Sequence, residues 1–437
     1  MKSGSILIFD IGKTNKKLLI FDQEFNLQFS EEQRFKCITD EDGFDCDNFI
    51  AIVDWMKRRT LEIIQEQKFS IEAINFSTYG ASLAYLDAEG QLLTPVYNYL
   101  KPLPKNVLKG FYERYGGVAE FSRATASPAL DMLNSGLQIL WMKQYRPTIY
   151  SKIKNILHLP QYLSYCFTGK ITSEYTSIGC HTALWDFDKV EYHRWLVDEN
   201  ITLPNPSKLS SKTQVKIGDR IVNVGIGIHD SSASLAPYLL QNKEPFVFIS
   251  TGTWCINMNP FNTKSLTLEQ LQNDCLCYMG VEGQQVKSAR LFMGHIHEVN
   301  CKQMAAFFHK SEDFFKKVRF DEKQLSSIEN RAVADVVFFK QPLDSNFVDY
   351  SVDYSQFTSI EEAYNQFIKD LVLLNVAAIQ RIIETEDGIQ RLYVSGGFTR
   401  NEIYIKQLQK HFPLMDICCT EIENSSALGA AMVVIKE

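Results

Sequence analysis

The sequence predicts an α/β protein made of two similar halves. Three observations carry the prediction. An apolar run, a polar turn containing glycine and threonine, and a second apolar run occur over residues 5–22 and again over residues 245–258. In each half a segment with helical spacing precedes one more apolar run: 49–66 before 71–78, and 360–383 before 391–395. The 437 residues suffice for about two to three domains with sizeable cores.

In chain order, residues 5–11 and 17–22 read as strands joined by the turn Gly12-Lys13-Thr14-Asn15-Lys16, a hairpin pattern. Ile50, Val53, Leu61 and Ile64 recur at helical spacing over 49–66, and 71–78 is a further strand. Helical and irregular segments run to about residue 200, with proline loops at 102–104 and near Pro204 and Pro206. An apolar run from Ile221 ends at Asp230, and small residues then open a helix over 231–240. The strand–turn–strand design returns around Ser250-Thr251-Gly252-Thr253-Trp254. Ile360, Ala363, Phe367, Leu371, Leu374, Ala378 and Ile382 mark a long helix, followed by a strand over 391–395 and the turn Gly396-Gly397. A last helix starts at Ser425. The halves are expected to be 1–234 and 235–437, with the boundary near 234–236.

Composition narrows the function classes. The net charge is -7 with both signs spread along the chain, so no basic face for nucleic acid is expected. No apolar stretch approaches the ~18 residues of a membrane span, and the start lacks the long apolar region of a signal peptide. The 10 cysteines are scattered without a C-x-x-C, which reads as reduced thiols in the cytoplasm.

Three turns and two carboxylates carry chemistry. Gly12-Lys13-Thr14 resembles part of a P-loop, but Leu7 stands where that motif needs glycine and a strand follows instead of a helix. A hairpin turn whose N–H groups form an anion nest is the better reading, with Lys13 and Lys17 adding charge and Thr14 and Asn15 adding donors. A solvated turn is the bland alternative. Asp10, at the end of the preceding strand, is suited to hold Mg2+ through water, or simply to form the turn. Gly252 and Thr253 form the second turn. Gly396 and Gly397 leave room for an adenine or a ribose, ahead of a helix carrying Asn401. Asp230 is suited to accept a hydroxyl proton, or to cap the helix it begins. His295 and His297 look metal-like, yet residues two apart do not share a helix face. Together the turns and carboxylates imply phosphoryl transfer to a polyol.

In this order and spacing the motifs resemble the FGGY carbohydrate kinases. The likeness spans nearly the whole chain. It rests on Asp10 to Lys17, on residues 157–170 (LHLPQYLSYCFTGK), on Gly227-Ile228-His229-Asp230, on residues 395–401 (SGGFTRN) and on residues 427–431 (ALGAA). The resemblance implies two actin-like (ribonuclease H-like) domains with a central cleft, the fold of the sugar kinase/heat-shock chaperone/actin superfamily. Residues 250–254 and 282–291 are most similar to the rhamnulokinase branch. By this likeness Asp230 is the proton acceptor, and Gly80, His229 and Ser231 lie along the sugar. Lys13, Thr14, Asn15, Lys16, Lys17, Gly12, Gly252, Thr253, Gly396, Gly397 and Asn401 contact ATP, and Asp10 faces Mg2+. The implied reaction is phosphorylation of the C1 hydroxyl of a ketose such as L-rhamnulose or L-fuculose. Xylulose, ribulose and glycerol stay open, as does a sugar- and nucleotide-binding regulator without turnover. Three departures stand out. Lys13 replaces a small residue, Met293-Gly294 replaces a Lys-Asn pair, and the first-domain Asp-x-Arg is absent near Tyr97. Domains of this type often pair, so a homodimer is a further open expectation.

Overall fold

The structure, a computed structural model, describes residues 4–320, 336–341, 343 and 345–436. Residues 1–3, ahead of the first strand in sequence, lie outside it. Two sheets organise the chain. In the first, Gly4–Ile11 pairs antiparallel with Lys16–Phe21 and parallel with Ser70–Thr78. In the second, Phe246–Thr251 pairs antiparallel with Cys255–Asn259 and parallel with Arg391–Gly396. The same hairpin-plus-parallel-strand pattern thus occurs twice, as the repeated sequence pattern predicts. Ile6, Leu7, Ile8 and Phe9 are all at most 1% exposed, because helices cover both faces of their sheet. That is why the strand reads as an unbroken apolar run.

The helix Phe49–Glu66 forms over the expected residues, but its buried face differs from the expected one. Phe49, Ile52, Val53, Met56, Ile63 and Ile64 face the sheet, whereas Ile50 and Leu61 point outward. The Asn48 side chain accepts from Ala51 N–H at its start, and Gln67 takes a left-handed conformation at its end. The long second-half helix runs Ile360–Gln380, starting from a Ser359 cap, and stops three residues before the expected 383.

The apolar run toward Asp230 is not one strand. Arg220–Gly225 and Ile228–His229 are separated by a break at Gly227, which has φ +82° and lies where a Cβ would strike Pro160 backbone oxygen at 2.6 Å. The helix Leu159–Thr168 props this break: Gln161 donates to the Ile226 and Gly227 carbonyls, and Ser164 donates to the Gly225 carbonyl.

Residues 234–236, the expected boundary, lie inside the helix Asp230–Gln241. Ala233 and Ala236 pack toward the first sheet, whereas Leu235 and Tyr238 pack on Phe246 and Phe248 of the second. This helix is therefore shared by both halves. The last helix, Ser425–Ile435, crosses it where a Cβ on Gly429 would lie 1.9 Å from the Ala233 carbonyl oxygen. Ala427, Ala430 and Val434 complete the apolar layer on Ile6, Ile8 and Ile228, and Asn75 donates to the Ala430 carbonyl. The first half is thus closed by residues from the end of the second. Among the described residues no helix is long and apolar enough to cross a membrane.

Candidate active site

Asp230 is the first residue of its helix, and the capping position before it is held by His229. The cap alternative therefore does not describe it. Its carboxylate meets the Ser231 hydroxyl at 3.2 Å and the Ser231 backbone N–H. About a third of its side chain (35%) stays open to the cleft. Burial by the surrounding walls pushes its pKa up to about 6, with the Ser231 contacts opposing in part. A carboxylate so tuned is largely ionised at neutral pH yet more basic than an ordinary Asp.

His229 lies beside it, Nε2 to Oδ1 3.3 Å, and burial pushes the imidazole down to about 4. The pair is thus a neutral histidine next to a carboxylate, not an ion pair. Nε2 also meets Cys180 Sγ at 3.1 Å, and Nδ1 is buried without a protein partner. A Cβ on Gly80 would sit 3.0 Å from His229 Nε2 and 3.2 Å from Cys180 Sγ. Gly80, His229, Asp230 and Ser231 are therefore brought together as the motifs predict. Cys180 joins them from a segment that no motif marks.

Asp10 stands on the neighbouring strand, paired in register with Ser77 and Lys17. Burial raises its pKa, opposed by the hydrogen bond from Ser426, and the charge of Asp230 raises it further. The Ser426 hydroxyl donates to Oδ2 at 2.9 Å. Two carboxylates that repel each other, with Lys17 as a counter-charge on Asp10, suit a hydrated Mg2+ arriving with a polyphosphate, since that ion takes one or two protein carboxylates. Among the described residues no group of three or more His, Cys, Asp or Glu is arranged to hold a metal by itself.

The first turn is closed by Gly12 N–H donating to the Asn15 carbonyl at 3.0 Å. Thr14 is exposed, and Gly12, Lys13, Asn15 and Lys17 are partly so. Lys16 departs from the expected role: it is 3% exposed, and its ammonium is spent on Asp47 Oδ1 at 2.7 Å and the Lys13 carbonyl at 2.9 Å. Strand alternation explains this. Lys16 shares its face with Leu18 and Ile20, under the helix Phe49–Glu66, whereas Lys17 shares the opposite face with Leu19. Lys17 Nζ reaches Asn424 Oδ1 at 3.1 Å, close to Asp10.

The second turn and the Gly396-Gly397 turn are joined through Thr251, which sequence reasoning passed over. Its hydroxyl donates to the Ser395 carbonyl at 2.6 Å and accepts from Phe398 N–H at 3.1 Å. Gly396 has φ +89°, and a Cβ there would meet Thr251 carbonyl oxygen at 1.8 Å, so the fold itself demands this glycine. Gly397 differs: nothing lies within 4 Å of a Cβ there. Gly252 is nearly as open, with its nearest contact at 3.7 Å, and Thr253 is exposed beside it. Both glycines line a cavity of about 590 Å³ together with Tyr364, Phe398, Lys316 and Asn401. The volume is in the range of a nucleotide-sized ligand site. The Asn401 side chain caps the helix Glu402–His411 and donates to the Tyr364 hydroxyl at 2.8 Å. His297, buried and pushed down to about 4, meets the same hydroxyl at 3.0 Å, while His295 stacks on Phe292. Gly294 is pressed against Gly252, a Cβ coming within 2.1 Å of its carbonyl oxygen, so the Met293-Gly294 pair has no room for a long polar side chain at the second position.

Comparison with known proteins agrees with this architecture. The model of the FGGY family of carbohydrate kinases, N-terminal domain, matches residues 5–211, and that of the carbohydrate kinase FGGY C-terminal domain matches residues 243–318. A rhamnulokinase of Halalkalibacterium halodurans is 24% identical over 261 residues, covering 57% of this chain and 55% of that protein. A rhamnulokinase of Klebsiella pneumoniae is 23% identical over 279 residues, covering 61% and 56%. The match thus spans little more than half the length of these relatives. A solved carbohydrate kinase from Novosphingobium aromaticivorans superposes with a TM-score of 0.79 over 99% of this chain and 92% of that one, at 21% identity. A ligand-bound xylulose kinase from Lactobacillus acidophilus gives 0.75 over 99% and 89%, at 16% identity. At such identities the structures speak for the fold alone. With the N-terminal and C-terminal domains of the family matched in order along the sequence, the chain belongs to the FGGY family of carbohydrate kinases.

Proposed function

We propose that the protein transfers the γ-phosphoryl group of ATP to a sugar hydroxyl, with Asp230 as general base. The C1 hydroxyl of a ketose such as L-rhamnulose or L-fuculose is the preferred acceptor, on the strength of the rhamnulokinase relatives. The observation that carries the reading is Asp230 itself: a carboxylate at the cleft, partly open to it, raised to about 6 and next to a neutral imidazole.

Asp230 accepts the hydroxyl proton as the oxygen attacks, a contribution of about 10²–10⁴-fold. His229 and Gly80 wall the sugar side, with His229 Nε2 turned to Gly80 and to Asp230 Oδ1. The turns at Gly12–Asn15 and Gly252–Thr253 offer backbone N–H groups to the phosphates, and the Gly397 cavity takes the nucleoside. Asp10 would hold the hydrated Mg2+ that accompanies ATP, and that ion supplies charge neutralisation on the phosphates. Enclosure between the halves excludes water as a competing acceptor.

The test is coupled ADP release with Mg-ATP across ketoses, aldoses, aldonic acids and glycerol, with Asp230→Asn in parallel. Turnover with one ketose, lost in the variant, supports the reading. Nucleotide binding without sugar-dependent ADP release would replace it by a regulator on the same fold.

A further inference from the structure

Asp47 belongs to no motif, yet it touches both sides of the site. It lies between the short strand Asp45–Cys46 and Asn48, the cap of the helix Phe49–Glu66. Its side chain is 8% exposed and accepts three hydrogen bonds: from Lys16 Nζ at 2.7 Å, from Lys13 Nζ at 2.9 Å and from the Tyr79 hydroxyl at 2.7 Å. Burial pushes its carboxyl up, but the bonds from Lys16, Lys13 and Tyr79 together outweigh this and hold it below the usual range.

The three partners come from different walls. Lys13 is in the first turn, and Lys16 closes that turn from beneath by donating to the Lys13 carbonyl. Tyr79 directly precedes Gly80, which lies against His229. Lys13 also lies over the rings of Tyr79 and Tyr99, 5.2 and 5.5 Å from their centroids. One carboxylate thus connects the phosphate-side turn to the sugar-side turn. The carboxylate is itself anchored. Asn98 donates to the Asp45 carbonyl at 2.8 Å, and buried Lys101 pairs with Asp40 and Asp42 at 2.6 Å each. Two lysines on one aspartate leave a net positive charge beside the turn. Lys13, 33% exposed, can meet a phosphate while still held by Asp47, and Lys16 is buried against the same carboxylate.

We propose that Asp47 is a positioning residue for phosphoryl transfer, setting the Lys13 ammonium and the Tyr79-Gly80 turn at one fixed spacing so that phosphate donor and acceptor hydroxyl meet in line. The proposal rests on the kinase reading of the site and adds to it a residue that touches neither substrate.

The experiment is a double-mutant cycle on the full chain with Asp47→Asn, Lys13→Met and both. It reads kcat, the KM for Mg-ATP, the KM for the sugar, and melting. Asp47→Asn keeps the size and one acceptor but removes the charge. It is expected to lower kcat by about 10- to 100-fold, the scale of a small misplacement of reacting groups. The double variant is expected to be no worse than the poorer single, because both changes cut the same linkage. Additive losses, or kinetic constants unchanged once the folded fraction is counted, overturn the proposal. If Asp47→Asn does not fold, Tyr79→Phe replaces it: a lowered kcat that is non-additive with Lys13→Met supports the linkage, and additivity overturns it. If the wild-type chain phosphorylates no sugar, the kinase reading has failed separately. The same cycle is then read as Mg-ADP affinity by calorimetry, where non-additivity supports the coupling of Asp47 to Lys13 and additivity refutes it.

Discussion

Replacing Asp230 by Asn tests the site most directly, because it predicts a loss of rate together with a gain in stability. The carboxyl's pKa in the folded chain is about 6, against its ordinary 3.8. The folded state therefore binds the proton more tightly than the unfolded state, and stability falls as pH rises from 3.8 to about 6. Asparagine carries no such cost. The variant should melt higher than wild type above about pH 6, with the difference vanishing below about pH 4. In the same samples ADP release should fall by about 10²–10⁴-fold, or roughly 2.7–5.4 kcal/mol of barrier. Wild-type kcat/KM should itself follow the base. With a pKa of about 6 the carboxylate fraction is about 0.9 at pH 7 and about 0.1 at pH 5, so the rate should drop nearly tenfold between them. A variant within about tenfold of wild type, or a flat wild-type profile from pH 5 to 8, would refute Asp230 as the base.

Three further predictions concern glycines whose surroundings differ. Gly397→Val should raise the KM for Mg-ATP by about 10-fold or more while leaving melting and the sugar KM unchanged, because the new Cβ meets no protein atom within 4 Å and the side chain enters the cavity; matching losses of stability would contradict this. Gly80→Ala should raise the sugar KM by roughly tenfold and leave the Mg-ATP KM alone, since its Cβ presses on His229 and Cys180. Gly429→Ala should lower the denaturation midpoint at constant slope, by about 1–3 kcal/mol, because its Cβ meets the Ala233 backbone.

The elements were legible in the sequence wherever burial is complete. Ile6 to Phe9 and Val247 to Ile249 announce strands because helices cover both faces. Asp10, Asp230 and the Gly396-Gly397 turn were legible because each sits at a strand end next to small residues. The roles of Lys16 and Lys17 are readable in principle: alternation puts Lys17 and Asp10 on one sheet face and Lys16 on the other, although a turn of consecutive polar residues by itself looks like a string of donors. Asp47 was not readable. It sits among Asp40, Glu41, Asp42 and Asp45, which look like a solvated acidic loop, and its partners are 31 to 34 residues away. Ile50 and Leu61 fit a helical period, yet the stripe that meets the sheet runs through Phe49, Ile52, Val53 and Met56. Only the sheet's position chooses between such stripes.

The crossing at Gly429 has a consequence for how the chain is made. The layer over Ile6, Ile8 and Ile228 is begun by Ala233 and Ala236 and completed by Ala427 to Val434. During synthesis that side of the first sheet therefore stays partly bare until residues 427–434 have left the ribosome. At about 5–20 residues per second, the roughly 190 residues between Asp230 and Ser425 leave that apolar surface waiting for about 10–40 seconds. A nascent chain stalled in that interval should offer this surface to chaperones, and a gene cut after the first half should yield an insoluble fragment that the missing helix, supplied in trans, makes soluble.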